Sequence, residues 1–279
     1  MKILKRVSSS GGIATKYLQE TSDGFIVEAT YIKRPEKHTL CVSTQVGCVI
    51  GCTFCASGLR KESHFRRSLS CEEMVSECVN IAQGMDFAGR PFPLTFAFMG
   101  EGEPFLNFEE LMKAFRALSL LVWPVPMKLS VSTSGIRPDL IRRLGEIEFS
   151  VPFKLLVSLH GPNDEIRSRI VPTSQPVAEI VAAVRDYREH CGRPFVWNYV
   201  LCSGVNDWPE HAEAIVRLLG PGWLVKFTRL NPVAGSQLRC PPRERVEEFR
   251  RILEHGGLFT TYSETDESCI GAGCGQLSY

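Results

Sequence analysis

Residues 41–58 carry the side chains whose types and spacing are best suited to chemistry. The stretch reads Cys-Val-Ser-Thr-Gln-Val-Gly-Cys-Val-Ile-Gly-Cys-Thr-Phe-Cys-Ala-Ser-Gly, and Cys48, Cys52 and Cys55 follow the spacing C-x3-C-x2-C. Thiolates this close in sequence are soft ligands for zinc or for an iron–sulfur cluster. Ferredoxins use C-x2-C-x2-C with a fourth ligand, and structural zinc sites use two paired dyads. Three ligands with unequal spacing therefore favour a cluster in which one iron is left open.

The bulk composition is that of an ordinary globular chain. It has 279 residues, 44% hydrophobic and 23% charged, with a net charge of +1. A near-neutral chain has no general attraction for nucleic acid, so polyanion binding must come from a local patch. No apolar run approaches the ~18 residues of a membrane span, and the first residues lack a signal-peptide core. We therefore expect no membrane association.

The eleven cysteines are not distributed like those of a secreted disulfide scaffold. Such scaffolds are short chains with cysteines throughout, whereas this chain has the length of an enzyme and its cysteines concentrate in the first cluster and at the C-terminus. The pattern favours a reducing cytoplasm. Six cysteines stand alone and are predicted to be small buried hydrophobic residues: Cys71, Cys78, Cys191, Cys202, Cys240 and Cys269.

The first part of the chain predicts strands that lead into the cysteine loop. Residues 1–24 are polar and rich in Ser and Gly, with a turn or flexible piece at 8–12. Residues 25–32 are β-branched and aromatic and predict a strand that contains Glu28. A second strand, over about 38–43, would deliver the cysteine loop at its C-terminal end.

Strands and helices alternate through the rest of the chain. A capping box formed by Ser70 and Glu73 predicts the start of the first helix, which ends at about Gln83. Further strands are predicted over 94–99, 128–133, 153–159, 195–202, 224–230 and 258–262. Further helices are predicted over 108–121, from Pro138 onward, over 177–190 and 208–219, and from 241–242 to 255.

About six strand–helix units in series indicate an α/β fold with a parallel sheet and external helices. A closed barrel needs eight units and ~250 residues, so an open, partial barrel is predicted. Polar and Gly-rich sequences fall at the C-terminal ends of the strands, where such enzymes keep their chemistry. We predict two regions, an N-terminal β extension over 1–37 and the partial barrel over 38–279.

Several motifs, taken together in this order, resemble the RlmN/Cfr family of radical S-adenosylmethionine (SAM) methyltransferases. The motifs are the cysteine stretch above, Gly-Glu-Pro-Phe-Leu-Asn, Ser-Thr-Ser-Gly, Ser-Leu-His-Gly-Pro-Asn-Asp-Glu-Ile-Arg and a terminal Gly-Cys-Gly-Gln-Leu. The similarity runs from about residue 24 to residue 277. It implies a partial (β/α)6 radical SAM barrel with a short N-terminal β extension, methylation of an adenine carbon in RNA, and a flavodoxin-like electron donor.

The resemblance also implies a cofactor site. Cys48, Cys52 and Cys55 would bind one 4Fe–4S cluster, whose open iron would chelate SAM. The residues expected to contact SAM all fall at predicted strand ends: Gly102, Glu103, Ser132, Ser158, Leu159, His160 and Asn231. Considered singly, Ser132 is typical of a turn and His160 of a hydrogen-bonded structural histidine.

Three further residues have catalytic roles implied by the resemblance. Cys274 would be methylated by a first SAM, and a second SAM would generate the radical that activates this methyl group. Cys41 would then release the product by forming a disulfide with Cys274, so both thiols are expected at the accessible mouth of the barrel. Glu28 would remove the proton from the ring carbon. The alternative for Glu28 is a solvated charge on a strand.

Three features depart from the family and leave the substrate open. The chain has no room for the helical domain that precedes the first strand in family members. Residues 263–267 are acidic where the family is basic, and Glu101 replaces an apolar residue. Residues 60–67, by contrast, keep cations that could meet a phosphate backbone. The candidates are adenosine in rRNA or tRNA, at carbon 2 or carbon 8, the same chemistry on a small molecule or peptide, and a non-enzymatic metal-binding protein.

Overall fold

The computed structural model describes residues 1–59, 64–85, 87, 92–263 and 269–277. Its main feature is a ten-stranded sheet in the order β1-β2-β3-β4-β7-β8-β9-β10-β11-β12. These strands are β1 (Lys2–Ser8), β2 (Ala14–Glu20), β3 (Ile26–Arg34), β4 (Lys37–Val42), β7 (Leu94–Phe98), β8 (Met127–Thr133), β9 (Phe153–Ser158), β10 (Phe195–Val200), β11 (Leu224–Thr228) and β12 (Phe259–Ser263). A two-stranded sheet pairs β5 (Gln45–Val46) with β6 (Arg67–Ser68).

Eight α-helices connect or cover these strands in the described residues. They are α1 (Ala56–Leu59), α2 (Cys71–Ala82), α3 (Phe108–Leu120), α4 (Pro138–Glu146), α5 (Asp164–Ser168), α6 (Val177–Cys191), α7 (Pro209–Leu219) and α8 (Arg243–His255). A 3-10 turn covers Pro104–Asn107. The capping box predicted at the start of α2 is present. None of the helices that the structure describes is long and apolar enough to span a bilayer.

The sheet is parallel from β4 onward and antiparallel before it. Strands β4 and β7 to β12 pair in parallel, each pair joined by a helical crossover, whereas β1, β2, β3 and β4 form an antiparallel meander. The described strands leave β1 and β12 as edges, so they do not close into a barrel. The predicted open α/β architecture is confirmed.

Nearly every strand and helix predicted from residue 25 onward occurs, with ends within about two residues of the prediction. The first 24 residues differ from the prediction, because they form the β1–β2 hairpin. The turn between these strands was expected, and the Gly12 amide closes it on the Ser9 carbonyl at 2.9 Å. Strand β1 is exposed along most of its length, so its sequence shows no buried alternating face.

The two faces of the parallel strands have different surroundings. Side chains alternate between faces along a strand. One set packs beneath the helices and forms the main core, which includes Leu129, Val131, Leu155, Val157, Trp197, Tyr199, Val225 and Phe227. The other set, which includes Cys41, Ser132 and Ser158, points away from the helices. We call this second face the inner face.

Candidate functional site

Cys48, Cys52 and Cys55 lie in the loop that follows β5. The Cys55 amide donates to the carbonyl of Cys52 at 3.1 Å, which closes a tight turn from Cys52 to Cys55. Gly58 permits the next turn to approach, because a Cβ at this position would lie 2.6 Å from the Cys52 carbonyl oxygen. The loop is therefore shaped by its own backbone and by a glycine that no larger residue can replace without a shift.

The donor set of this loop suits a cluster better than a single ion. Burial raises the pKa of all three thiols, that of Cys48 to about 12, and the neighbouring Cys55 and Cys48 further raise the pKa of Cys52. Thiolates here need a bound cation, since the metal-binding form is the thiolate. Within the described part of the chain, no three His, Cys, Asp or Glu side chains converge closely enough to hold one metal ion. In a cluster each thiolate binds its own iron, so such convergence is not required.

The C-terminal segment 269–277 docks directly onto the cysteine loop. The Ala56 amide donates to the Gly275 carbonyl at 2.6 Å. The Ser57 hydroxyl donates to the Leu277 carbonyl at 2.8 Å. Gly275 has a φ of +78°, which favours glycine and lets the segment turn against the loop. Residues more than 200 positions apart in the sequence are thus joined by hydrogen bonds.

Cys274 is exposed on this segment, and Cys41 lies on β4, near enough for the charge of Cys274 to act on it. Burial raises the pKa of Cys41, and the charge of Cys274 raises it further. The structure therefore brings the two cysteines together. It differs from the expected pair of accessible thiolates, because Cys41 is a half-buried thiol that burial keeps protonated. Asn231 donates to the Cys274 carbonyl at 3.0 Å, and its contact with SAM stays a prediction.

Glu28 is buried on the inner face and paired with a lysine. Its side chain is 2% exposed, and Oε1 lies 2.5 Å from Nζ of Lys16. The alternative of a solvated surface charge is therefore wrong. Lys16 also donates to the Gly271 carbonyl at 3.3 Å, three residues before Cys274. Sequence reasoning missed Lys16 because it did not recognise β2. Burial alternates along this strand, but the buried positions include the polar residues Thr15 and Gln19, so the sequence shows no alternation of apolar and polar residues.

Glu101 follows β7 and is 3% exposed. Burial raises its pKa to about 8, with the charge of Glu28 as the next cause. Within the described residues its Oε1 atom has no hydrogen-bond partner. Its backbone carbonyl accepts from the Thr44 amide at 2.9 Å, which fixes it beside the cysteine loop. At neutral pH, Glu101 is thus mostly a neutral acid beside Glu28.

Glu103 is the opposite case, a buried carboxylate with several donors. It accepts from the Thr133 hydroxyl at 2.6 Å, the Ser134 amide at 2.7 Å and the Phe105 amide at 3.0 Å. Burial raises its pKa and these hydrogen bonds oppose the rise. Gly102 has a φ of +97°, and a Cβ there would lie 2.5 Å from the Cβ of Gln45. Only glycine lets this strand end approach the cysteine loop so closely.

Ser132 and Ser158 lie on the inner face of neighbouring strands. Asn198 donates to the Ser132 hydroxyl at 3.1 Å and stands opposite Ser158 in the register. Arg167, 1% exposed, donates to the Ser158 carbonyl at 3.1 Å and to the Ser134 carbonyl. Burial lowers the pKa of Arg167 to about 10. This arginine was missed as a site residue, although it closes the Asp-Glu-Ile-Arg motif, and it ties two strand ends together.

Leu159 and His160 form the wall between the cysteine loop and β10. Leu159 is 1% exposed. The His160 Nδ1 atom accepts from the Val200 amide at 3.1 Å, and its ring packs edge-on to Phe54 with centroids 5.2 Å apart. Burial lowers the pKa of His160 to about 3, so the ring is neutral. The structure thus shows structural partners for this histidine, and its contact with SAM stays a prediction.

The regions proposed to decide RNA binding are only partly described. Residues 60–63, which are half of the basic loop, and residues 264–268, which contain most of the acidic segment, lie outside the described residues. Arg67, at the end of the basic loop, pairs with Asp23 at 2.6 Å and with Glu73 at 2.7 Å. Its charge is neutralised within the protein, so it does not serve as a phosphate contact in this arrangement.

The lone cysteines are only partly as predicted. Cys78 and Cys202 are buried, and Cys71 and Cys191 are half-buried. Cys240 and Cys269 are exposed, so the prediction of a buried hydrophobic role is wrong for them. Cys240 lies in an irregular stretch before α8 and Cys269 begins the docked segment, and neither position faces the core.

Comparison with known proteins agrees with this geometry. The model of the Radical SAM superfamily matches residues 42–219. A probable dual-specificity RNA methyltransferase RlmN of Symbiobacterium thermophilum is 39% identical, over 94% of this chain and 70% of its own length. The ribosomal RNA large subunit methyltransferase N of Nitrosopumilus maritimus is 37% identical, over 99% of this chain and 80% of its own.

A solved structure gives the same result for the fold. A radical SAM methyltransferase from Sphaerobacter thermophilus superposes with a TM-score of 0.91 at 37% identity, over 99% of this chain and 80% of the other. The hydrogenase maturase HydG shares the fold alone, with a TM-score of 0.56 at 12% identity. The chain belongs to the radical SAM superfamily and, within it, to the RlmN/Cfr family of methyltransferases.

Proposed function

We propose that this methyltransferase transfers a methyl group to a ring carbon of adenosine in RNA, with Cys274 as the methyl carrier. The observation that carries the proposal is the docking of the Cys274 segment onto the cysteine loop, beside Cys41. A generic radical enzyme has no need of a second cysteine pair at this position. The RNA substrate is supported by the names of the relatives, which are RNA methyltransferases.

Radical SAM enzymes use a 4Fe–4S cluster and SAM, which together supply a 5′-deoxyadenosyl radical when bound. Cys48, Cys52 and Cys55 are the proposed cluster ligands. The proposed SAM contacts come from the strand ends: Gly102, Glu103, Ser132, Ser158, Leu159, His160 and Asn231. Glu103 is held rigidly by three donors, yet its Oε2 atom accepts from only one of them, the Ser134 amide, and can accept a further hydrogen bond from the amino group of SAM.

The roles of the remaining residues follow from their positions. Cys274 is exposed and receives a methyl group from one SAM, while a second SAM is consumed in activating that group. The activated carbon would bond to the adenine ring, the ring radical so formed would give one electron back to the cluster held by Cys48, Cys52 and Cys55, and Glu28 would accept the proton lost from the ring carbon. The ammonium of Lys16 favours the ionised, proton-accepting form of the Glu28 carboxylate.

Cys41 completes the turnover. It gives up its proton and attacks the sulfur of Cys274, which breaks the bond between that sulfur and the transferred carbon. This carbon takes up a proton and becomes the methyl group of the product, while the two sulfurs form a disulfide. Two electrons must then reduce the disulfide before the next turnover. The radical step has its own electron requirement, for which a flavodoxin-like protein is the proposed donor. Because burial raises the pKa of Cys41, the attack requires a base or a local rearrangement that exposes the thiol.

The same chemistry on a small molecule or peptide is the second candidate. It is favoured by the pairing of Arg67 with Asp23 and Glu73, which removes one cation from the basic loop. The loss of phosphate contacts weakens RNA binding in proportion to their number. RNA remains our proposal because the similarity to RNA methyltransferases covers nearly the whole chain.

The test separates the chemistry from the substrate. Protein reconstituted without oxygen should contain about four irons per chain, and mass spectrometry should find one added methylene unit on Cys274 after incubation with SAM. Methyl-labelled SAM and transcripts of rRNA or tRNA should then yield labelled adenosine. Cys274→Ala should yield none, while Cys240→Ala, a change at another exposed cysteine, should be fully active. Zinc in place of iron, or product from Cys274→Ala, would overturn the mechanism, and labelled Cys274 without labelled RNA would overturn only the substrate.

A further inference from the structure

Four lysines lie on the inner face of the sheet, toward the starts of their strands. They are Lys37 on β4, Lys128 on β8, Lys154 on β9 and Lys226 on β11. Lys37 shares its face with Cys41, because side chains four residues apart on a strand point the same way. Lys128 shares a face with Ser132 for the same reason, and Lys154 with Ser158.

The register of the sheet brings these positions to one level. Lys154 stands opposite Ser130, which is two residues beyond Lys128. Lys226 on β11 stands opposite Asn198 on β10, which stands opposite Ser158 on β9. Ser158 is four residues beyond Lys154, so the offset from β9 to β11 is again two residues per strand. A constant stagger of this kind is what tilts strands in a barrel, so residues related by it lie side by side around the inner face. Strand tilt thus gathers Lys128, Lys154 and Lys226 at one height.

The charges of these lysines act on one another. The pKa of Lys37 is lowered by burial and then by Lys154, Lys226, Arg34 and Lys128. The pKa of Lys154 is lowered by burial and then by Lys226. The charge of Lys226 also reaches Cys41, where it opposes the rise in pKa caused by burial. The lysines and the proposed catalytic cysteine therefore face the same space.

No acid neutralises this cluster in the part of the chain that the structure describes. None of the four lysines is in an ion pair with a described carboxylate, whereas several arginines elsewhere on the surface are. Like charges held together without a counter-charge are destabilising in the empty protein and attract anions. A ligand with several negative charges would remove the repulsion.

We infer that the four lysines form a binding site for phosphate groups on the inner face of the sheet, below the cysteines. Phosphate fits because it carries more than one charge and accepts several hydrogen bonds, which matches several point-charge donors. The lysine cluster alone supports the site. Its use by a substrate rests on the proposed function: the Cα of Lys37 is roughly 13 Å along the strand from that of Cys41, so a nucleotide could span the two.

Calorimetric titration of the full, reconstituted protein with inorganic pyrophosphate tests the site. We expect saturable binding that weakens about tenfold or more in Lys154→Ala/Lys226→Ala and recovers in Lys154→Arg/Lys226→Arg, since the loss of a charge-assisted contact costs at least this much. The matched control is Lys2→Ala/Lys5→Ala, which removes the same charge from the exposed strand β1. This control should bind as the unaltered protein does.

The inference is overturned if the unaltered protein does not bind pyrophosphate, or if the control variant loses as much affinity as the cluster variant. A thermal melt guards against misfolding, since removing two repelling charges should leave the melting temperature equal or higher. The source of the phosphate is then assigned by two further titrations. If RNA supplies it, the cluster variant binds an RNA hairpin more weakly, and the slope of log affinity against log salt falls by about 0.7 per lost contact. If a free nucleotide supplies it, the variant loses affinity for adenosine monophosphate alone. Neither result depends on methyl transfer.

Discussion

The two ends of the inner face differ in the sign of their charge and in the way that charge is held. Toward the ends of the strands lie three carboxylates, Glu28, Glu101 and Glu103, each at most 3% exposed. One ammonium, that of Lys16, accompanies them. Toward the starts of the strands lie the four lysines, which are exposed or half-buried and have no described acid beside them.

The difference follows from burial, because a buried charged group needs a compensating interaction that an exposed one does not. A buried carboxylate must be hydrogen-bonded, paired or neutral, and the three glutamates show one solution each. Glu103 has three donors, Glu28 has Lys16, and Glu101 is kept neutral by a pKa raised to about 8. The lysines are only half-buried or exposed, so they can remain charged without any of these solutions. The acidic end is therefore preorganised for chemistry, and the basic end is open to a ligand.

Glu28→Gln, a change at the acidic end, should have the largest effect, which is on product formation. Without a proton acceptor, product formation should fall by about 10²–10⁴-fold, the usual contribution of a general base. Methylation of Cys274 should persist, because that step needs no base at the ring carbon. The measurement is single-turnover product formation beside mass spectrometry of Cys274. Glu36→Gln, at the exposed turn between β3 and β4, is the control and should behave as the unaltered protein. Full product formation by Glu28→Gln would exclude the assigned role.

Glu101→Gln should stabilise the protein, and the gain should increase with pH. The folded pKa of about 8 lies above the ordinary value of 4.5, so the folded form holds a proton that the unfolded form has released. The unaltered protein therefore loses stability as the pH rises through this window, whereas the glutamine variant does not. Between pH 5 and pH 8 we expect the difference in the free energy of unfolding to grow by roughly 2–4 kcal/mol. Urea unfolding at both pH values measures it, and a difference that is the same at both would contradict the neutral state of Glu101.

Lys16→Met should sharpen the distinction between a paired and an unpaired carboxylate. Loss of the ammonium favours the protonated form of Glu28, so the base is active only at higher pH and the pH–rate profile should move to the alkaline side. At neutral pH we expect about a tenfold loss of turnover, equivalent to ~1.4 kcal/mol. Lys16→Arg keeps the charge and should restore most of the profile. A lower rate with an unshifted profile would assign Lys16 only the role of holding the carbonyl of Gly271.

Lys154→Ala/Lys226→Ala should have the smallest effect. The variant should be more stable than the unaltered protein, whereas the loss of a favourable contact would make it less stable. Removal of two like charges from the basic end should raise the free energy of unfolding by ~0.5 kcal/mol at low ionic strength. The gain should disappear in about 1 M salt, where charges separated by more than ~3 Å are screened. Chemical unfolding by urea at low and high salt measures both values. A destabilised variant would mean that the lysines have partners that hold them in place.

Much of the fold could be predicted from the sequence because its signals are local. The strand from Leu94 to Phe98 is apolar at four of its five positions and is followed by Gly100, and α2 begins with a complete capping box. Strands β1 and β2 could not be found in this way, because β1 is mostly exposed and lacks a buried alternating face. With β2 unrecognised, Lys16 could not be placed beside Glu28.

The site was predictable only where a motif carried it. The spacing of the cysteine loop indicated a cluster, and the resemblance placed Cys41 and Cys274 together across more than 230 positions of sequence. The buried state of Cys41, the structural partners of His160 and the lysine cluster depend on long-range packing. No local pattern reports the face to which a lysine points until the register of the neighbouring strands is known.

The central claim is that Cys274 carries the methyl group and that Cys41 releases the product. Cys41→Ala tests it most directly, since this variant can attach the substrate but cannot release it. Incubated with SAM, a reductant and an rRNA or tRNA transcript, it should accumulate a covalent complex in which digestion and mass spectrometry find adenosine joined to Cys274 through the transferred carbon. Cys240→Ala should accumulate none. If Cys41→Ala instead releases methylated RNA at the normal rate, or if its Cys274 never carries an adduct, the proposed mechanism is wrong.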